Sequence, residues 1–152
     1  DSGHIGRERY QWIQDNFASP DDYKIFVLHH HLLPVPGTGR ERNIVYDAGD
    51  VLQILLQAGV NLVLTGHKHV PYIWRLEDIL IINAGTVSSL RLRGRTKPCY
   101  NVIEIHLDKI RIYRKYPSNE KELGGEFLLK NRGYGKWIDR LKEEVVPGGE
   151  RQ

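Results

Sequence analysis

Five of the seven histidines fall in two short clusters. One is an uninterrupted run at residues 29–31, and the other is the pair His67 and His69. Adjacent imidazoles have no packing role in a core, because each buried ring needs hydrogen-bond partners. Imidazole nitrogen is a common ligand of zinc, iron and similar ions, and three histidines with an open fourth position could form a hydrolytic zinc site. These residue types predict a metal or phosphate site, with a polar loop at a strand end as the alternative.

The spacing within each cluster indicates which rings lie on the same side. Side chains alternate along extended backbone, so His29 and His31 are expected on one face and His30 on the other. The spacing of two likewise places His67 and His69 together.

The elements before the clusters indicate where these rings meet. Apolar residues at helical spacing predict one helix over residues 3–17 and a second that begins with Asp47 as its N-cap and ends at Gly59. The apolar segments at residues 24–28 and 60–65 are typical of buried strands. Strands joined by a helix are usually parallel, so both clusters are expected at the same carboxyl edge of one sheet, where open α/β sheets bind ligands.

The second half of the chain has the pattern of short strands, predicted over residues 72–76, 79–83, 100–107 and 110–116. Their order looks like an antiparallel run. Asp108-Lys109 is expected to be a hairpin turn and Gly124-Gly125 a loop. A last amphipathic helix is predicted from the spacing of Trp137, Ile138, Leu141 and Val145. Residues 1–146 are then one part of a single domain, and residues 147–152 a flexible tail.

Composition is that of an ordinary globular domain. The 152 residues are 40% apolar and 27% charged, with a net charge of +3. No apolar run approaches the roughly 20 residues that a membrane span needs. A single cysteine, Cys99, allows no internal disulfide and favours a cytoplasmic location. Aromatic residues do not alternate with the basic ones, so a nucleic-acid partner is not expected.

Several segments carry a family resemblance. VLHHHLLPVP (residues 27–36) resembles the strand, His-His and prolines of calcineurin-like metallophosphoesterases, and LVLTGHKH (residues 62–69) resembles their Gly-His-x-His signature. IINAGTVSSLRLRGRTKPCYNVIEI (residues 81–105) is similar to the segment that follows in cyclic-nucleotide-phosphodiesterase-like members. Asp1-Ser2 resembles the end of a family strand. The resemblance, which extends to about Tyr116, implies an α/β fold: the C-terminal half of an α/β/β/α sandwich with mixed sheets.

The resemblance also implies roles for individual histidines. His29 and His67 match ligands of one metal ion, and His69 matches a ligand of the other. His30 is the candidate catalytic residue, although the choice between His29 and His30 as the ligand stays open. The complete protein would hold two divalent or transition metal ions, such as Mn, Fe or Zn.

Arginines offer a further way to attract an anionic substrate. Arg40 and Arg42 follow the first cluster, and basic residues alternate along SLRLRGRTK (residues 89–97). They are candidates for substrate binding, with a solvated or edge-protecting surface as the alternative.

The carboxylate ligands of the family are missing from this sequence. It contains neither Asp-x-His nor Gly-Asn-His, and Gly49-Asp50 is expected to lie in the second helix with Asp50 as a capping residue. Two divalent ions about 4 Å apart need an anionic bridge, which neutral imidazoles do not supply. We therefore expect at most one ion in this chain alone.

The resemblance implies hydrolysis of a phosphoester, with a phosphodiester favoured over a monoester, by metal-activated water. Three functions remain open at this stage. The chain could be part of an enzyme that needs a missing N-terminal half or a second chain. It could be a metal-binding but inactive piece, or an interaction module without metal. A homo-oligomer is a further option.

Overall fold

The computed structural model describes residues 3–38, 44–89, 96–118, 121–129 and 137–139. The helices in these residues are α1 (Arg7–Asn16) and α2 (Ala48–Gln57). The strands are β1 (Ile25–Val27), β2 (Leu62–Thr65), β3 (Tyr72–Leu76), β4 (Ile79–Asn83), β5 (Tyr100–Ile105), β6 (Lys109–Lys115), β7 (Lys121–Leu129) and β8 (Trp137–Asp139). No helix within these ranges is long and apolar enough to cross a bilayer.

The first sheet is mixed and has the order β1-β2-β4-β3. β1 pairs in parallel with β2, with Ile25 opposite Leu62, and β2 pairs in parallel with β4. β3 is antiparallel to β4. The prediction that the strands before the two histidine clusters are parallel is therefore confirmed.

The second sheet is antiparallel throughout and has the order β5-β6-β7-β8. The expected single antiparallel run is wrong, because its first two strands lie in the first sheet. All five residues of β4, Ile79–Asn83, are buried. Such a strand needs neighbours on both edges and cover on both faces, and it finds them between β2 and β3 in the middle layer of the molecule.

The core lies on the two faces of the first sheet. On one face, Ile13 of α1 and Leu55 of α2 pack against Val63 of β2. On the other face, Leu62 of β2 packs against Ile110 of the second sheet. Neighbouring residues of β2 thus face opposite layers, and burial of each such side chain contributes about 1.5–3 kcal/mol. The described residues form three layers, namely helices, mixed sheet and antiparallel sheet.

The second helix begins and ends at the predicted residues, with Asp47 at its N-cap position. Gly59 has a φ of 67°, and the amides of Gly59 and Val60 donate to the carbonyl groups of Leu56 and Leu55. These two bonds form a Schellman motif, in which glycine relieves the strain of the left-handed residue. The N-cap position of Asp47 is therefore confirmed, but its carboxylate makes no cap hydrogen bond to α2.

Two predictions for the second half are also wrong. Gly124 and Gly125 lie inside β7 rather than in a loop, because the lack of a Cβ at Gly125 leaves room for the Phe127 ring. Residues 137–139 form β8 rather than the start of a helix, because they pair with β7. Leu141 and Val145 lie outside the described residues, as do Asp1-Ser2 and the tail.

The first helix is shorter than predicted. It begins at Arg7 because Gly6 has a φ of 87° and the preceding residues are extended. Ile13 is buried in the core as its spacing indicates, whereas Trp12 is 57% exposed.

Candidate metal centre

The two histidine clusters follow neighbouring parallel strands, and backbone hydrogen bonds hold the two turns together. The Leu28 amide donates to the Leu64 carbonyl over 3.0 Å, and the Gly66 amide donates to the His29 carbonyl over 3.1 Å. The carboxyl edge of the sheet therefore places residues after β1 beside residues after β2, as predicted.

Three imidazoles converge at this edge. One ring nitrogen each from His29, His30 and His67 lies within 4.8 Å of the other two. The closest pair is His29 Nε2 and His67 Nδ1, at 3.1 Å. The ring centroids of His30 and His67 are 4.6 Å apart. The group is partly open to solvent, so a ligand can reach it.

These distances suit a transition metal ion. Zinc binds histidine nitrogen at about 2.0–2.1 Å in tetrahedral geometry, which separates two ligand nitrogens by about 3.3 Å. The His29–His67 distance of 3.1 Å is close to that value. A nitrogen of His30 lies within 4.8 Å of both, which makes it the candidate third ligand.

The structure does not group the histidines as the alternation of side chains along a strand predicts. β1 ends at Val27 and the backbone bends at residues 29 and 30, so His29 and His30 face the same centre. The expectation that His30 points away from His29 is therefore wrong. His69 is outside the three-histidine group, and its role as a ligand of a second ion stays a prediction.

The second cluster has an unusual backbone. His67 and His69 have φ values of 82° and 63°, in the left-handed region that side chains with a Cβ rarely adopt. Such strain costs about 1–3 kcal/mol per residue and is found preferentially at functional sites. The observed geometry supports the assignment of this turn to a site.

Electrostatics favour the neutral form of two of these imidazoles, His67 and His30. Burial, the nearby Lys68 and the adjacent histidines lower the pKa of His67 from 6.5 to about 4. Burial also lowers the pKa of His30. Neutral rings at physiological pH leave nitrogen lone pairs free for a metal.

His67 Nε2 is buried and has no hydrogen-bond partner among the described residues. A buried nitrogen without a partner is costly unless a ligand or a water molecule satisfies it. The other nitrogen of the ring, Nδ1, lies 3.1 Å from His29 Nε2, and this pair of nitrogens is what fits a metal ion.

His31 is turned into the core instead of the site. It is 1% exposed, and neither ring nitrogen has a hydrogen bond of regular geometry among the described residues. Burial lowers the pKa of His31, although the nearby Asn83 amide opposes that shift. Its ring lies edge-on to that of His67, with centroids 6.1 Å apart, so it packs behind the site.

The described part of the group contains no carboxylate. The donor set fits one ion held by neutral ligands, and an anionic bridge between two ions would have to come from elsewhere. Arg40, Arg42 and residues 90–95 lie outside the described residues, so their predicted substrate contacts remain untested.

Comparison with known proteins agrees with this arrangement. Residues 1–71, which include both histidine clusters, match the family of calcineurin-like phosphoesterases. The chain is 35% identical over 69 residues to a protein of Methanothermobacter thermautotrophicus named as a probable metallophosphoesterase, a match that covers 43% of this chain and 38% of that protein.

Solved structures extend the fold similarity beyond the family segment. GAP50, described as the anchor in the inner membrane complex of Plasmodium, superimposes with a TM-score of 0.59 at 16% identity, covering 74% of this chain and 39% of that one. A predicted phosphoesterase of Streptococcus pneumoniae has a TM-score of 0.46 at 25% identity, over 55% of this chain and 48% of that one. The chain thus spans less than half the length of each of these proteins.

Proposed function

We propose that this chain is part of a metal-dependent phosphoesterase that hydrolyses phosphodiesters. The observation that carries the proposal is the convergence of His29, His30 and His67 at the carboxyl edge of the first sheet. The match of residues 1–71 to calcineurin-like phosphoesterases supports hydrolysis of a phosphoester. The similarity of residues 81–105 to cyclic-nucleotide-phosphodiesterase-like proteins favours a diester over a monoester.

Each histidine has a chemical task under this proposal. His29 and His67 would hold a divalent ion through neutral imidazole nitrogens 3.1 Å apart. Such an ion, when bound, supplies a Lewis acid and makes water acidic enough to be a nucleophile near neutral pH. The neutral His30 ring can donate a hydrogen bond to a phosphoryl oxygen or accept a proton from the attacking water. Arg40 and Arg42 would attract the anionic substrate.

Two ions are proposed for the complete protein, and the second requires anionic ligands that this group lacks. We infer that another segment of polypeptide, from the rest of a longer protein or from a second chain, supplies them. His69 would then be available to the second ion. The single cysteine, Cys99, is consistent with a reducing compartment such as the cytoplasm.

The edge of the first sheet offers a place for that segment. β1 pairs only with β2 among the described strands. Its side chains Ile25 and Val27 are 40% and 68% exposed, and Trp12 of α1 lies beside them at 57%. These residues line an open groove of about 480 Å³. An added strand would cover apolar surface on both faces and pair with a free edge.

The alternative function is a metal-binding module without catalytic activity. The neutral donor set favours it for the isolated chain, because a single ion without carboxylates lacks the bridged pair. Both functions require metal, whereas an interaction module without metal does not.

Isothermal titration of the chain with Zn²⁺ at pH 7.5 tests the common requirement. We expect about one ion per chain, and a loss of at least tenfold in affinity for His67→Asn, since asparagine tolerates the left-handed backbone there. The matched control is His106→Asn, in the β5–β6 hairpin turn, which should bind as the wild type does. Absence of zinc binding, or equal losses in both variants, would overturn the proposed site. Two ions per chain would contradict the charge argument.

A further inference from the structure

The side chain of Asp47 forms hydrogen bonds with the segment before α1 and makes no cap bond to α2. Its carboxylate accepts hydrogen bonds from the amides of Ile5 (3.0 Å) and Gly6 (2.8 Å) and from the Tyr10 hydroxyl (2.7 Å). The side chain is 7% exposed. The carboxylate makes no cap bond to α2 and instead accepts three hydrogen bonds from residues far away in sequence. These bonds hold the start of α2 against the segment around the start of α1.

The protonation state of Asp47 makes this contact strong. Burial alone would raise its pKa, but the hydrogen bonds from Tyr10, Gly6 and Ile5 outweigh burial and lower it to about 2. The group is therefore an anion at neutral pH, and hydrogen bonds to a charged acceptor are stronger than those to a neutral one.

Residues 44–47 also bind the backbone of both neighbouring segments. The Tyr46 amide donates to the Gly3 carbonyl over 2.8 Å, and the Val45 amide donates to the His31 carbonyl over 2.9 Å. The four residues thus connect the chain around Gly3 with the chain of the first histidine cluster.

The segment held by Asp47 lies against a histidine of the site. A Cβ built on Gly3 would be 2.8 Å from His30 Nδ1 and 3.1 Å from His30 Cγ. The backbone at Gly3 therefore lies close to the His30 ring, and no larger residue fits at position 3 without moving that ring. A displacement of the segment would free the His30 ring to rotate.

We propose that Asp47 is a positioning residue for His30, acting through the backbone of residues 3–6. The effect of this positioning on catalysis rests on the proposed function, whereas the series of contacts from Asp47 through residues 3–6 to His30 does not. Asp47 is separated from His30 by 17 positions in sequence and forms no bond to it, so its effect passes through the Gly3 contact.

The test compares Asp47→Asn with Tyr10→Phe, which should have a smaller effect on His30, and with Asp50→Asn, which should have none. Asparagine keeps one acceptor oxygen and loses the charge, so it weakens the bonds to Ile5, Gly6 and Tyr10. Tyr10→Phe removes one donor and keeps both backbone bonds, so its effect should be smaller. Asp50→Asn, on the exposed side of α2, is the matched control for loss of one carboxylate.

The main measurement is the ¹⁵N imidazole NMR spectrum of the metal-free chain. Well below the melting temperature, Asp47→Asn should change the His30 ring resonances and tautomer ratio, Tyr10→Phe should change them less, and Asp50→Asn should not change them. Zinc affinity should fall by about tenfold in Asp47→Asn, the size typical for residues that orient ligands.

A purely structural role gives a different result. In that case Asp47→Asn lowers the melting temperature while the His30 resonances of the folded chain stay as in the wild type, and the proposal is wrong. If Asp47→Asn does not fold, Gly3→Ala decides, because it disturbs the same contact directly. An unchanged His30 spectrum in Gly3→Ala would equally overturn the proposal. Failure of wild-type zinc binding would count against the proposed function alone.

Discussion

At the scale of single residues, the surroundings of His67 and His30 favour the neutral imidazole. His67 is held in a left-handed turn with one nitrogen buried, next to Lys68 and two other rings of the group. Each of these surroundings disfavours the imidazolium form. The same features that leave a lone pair free for a metal therefore make the metal-free fold sensitive to acid.

We predict that the metal-free chain loses stability as the pH falls from about 6.5 to 4. In this window the unfolded chain binds a proton at His67 that the folded chain, with a pKa of about 4, does not bind. Each pKa unit corresponds to about 1.4 kcal/mol, so His67 accounts for a loss of up to about 3 kcal/mol. Chemical denaturation at several pH values measures it.

His67→Asn is the informative variant for this pH dependence. Asparagine cannot be protonated in this range, so the slope between pH 6.5 and 4 should become shallower. Burial also lowers the pKa of His30 and His31, so part of the slope should remain. An identical slope in the variant would show that His67 is not the group responsible.

The histidine clusters could be predicted from sequence, but their pairing could not. A buried strand followed by imidazoles indicates a site at a sheet edge, and the structure confirms that edge. Which rings converge depends on the bend at residues 29 and 30, where β1 has already ended, so strand alternation did not apply. The role of Asp47 could not be predicted from the sequence either, because its partners Ile5 and Gly6 lie 42 and 41 positions away.

At the scale of elements, local patterns predicted strands and helices well where burial was periodic. Helix α2 has its apolar stripe and glycine end where expected, and β3 and β4 have the predicted bounds. Glycine pairs are ambiguous, because they are typical of both loops and close-packed strands. Gly125 is needed for its small size, since the adjacent Phe127 ring is buried between the sheets.

We predict opposite effects for the same substitution at two glycines. Gly125→Ala would place a Cβ 2.9 Å from the Phe127 ring, and crowding of this kind costs about 1–3 kcal/mol. Gly49→Ala lies in α2 with no atom within 4 Å of the new Cβ, so it should stabilise the helix by about 0.5–1 kcal/mol. Thermal unfolding compares the two variants with the wild type. A neutral Gly125→Ala would mean that this part of β7 tolerates a side chain as a loop does.

At the scale of the whole molecule, the first sheet is covered unevenly. Leu62 of β2 is buried under the second sheet, whereas Ile25, its partner in register on β1, is 40% exposed on the same face. Val27, opposite Leu64, is 68% exposed. Apolar residues beside a free strand edge favour pairing with another strand, so the isolated chain offers a surface for association.

We predict that the isolated chain self-associates through this edge and that Val27→Lys reduces the association. A lysine on an edge strand opposes pairing by charge, and at a site this exposed it should cost little stability. Sedimentation velocity over a range of concentrations measures the mass of the species present.

Leu107→Lys is the control, because Leu107 is 92% exposed in the β5–β6 turn, away from β1. A wild-type chain that stays monomeric at every concentration would show that the exposed edge does not drive pairing. Equal effects of the two lysines would place the contact elsewhere. Loss of association in Val27→Lys alone would place the contact at the β1 edge.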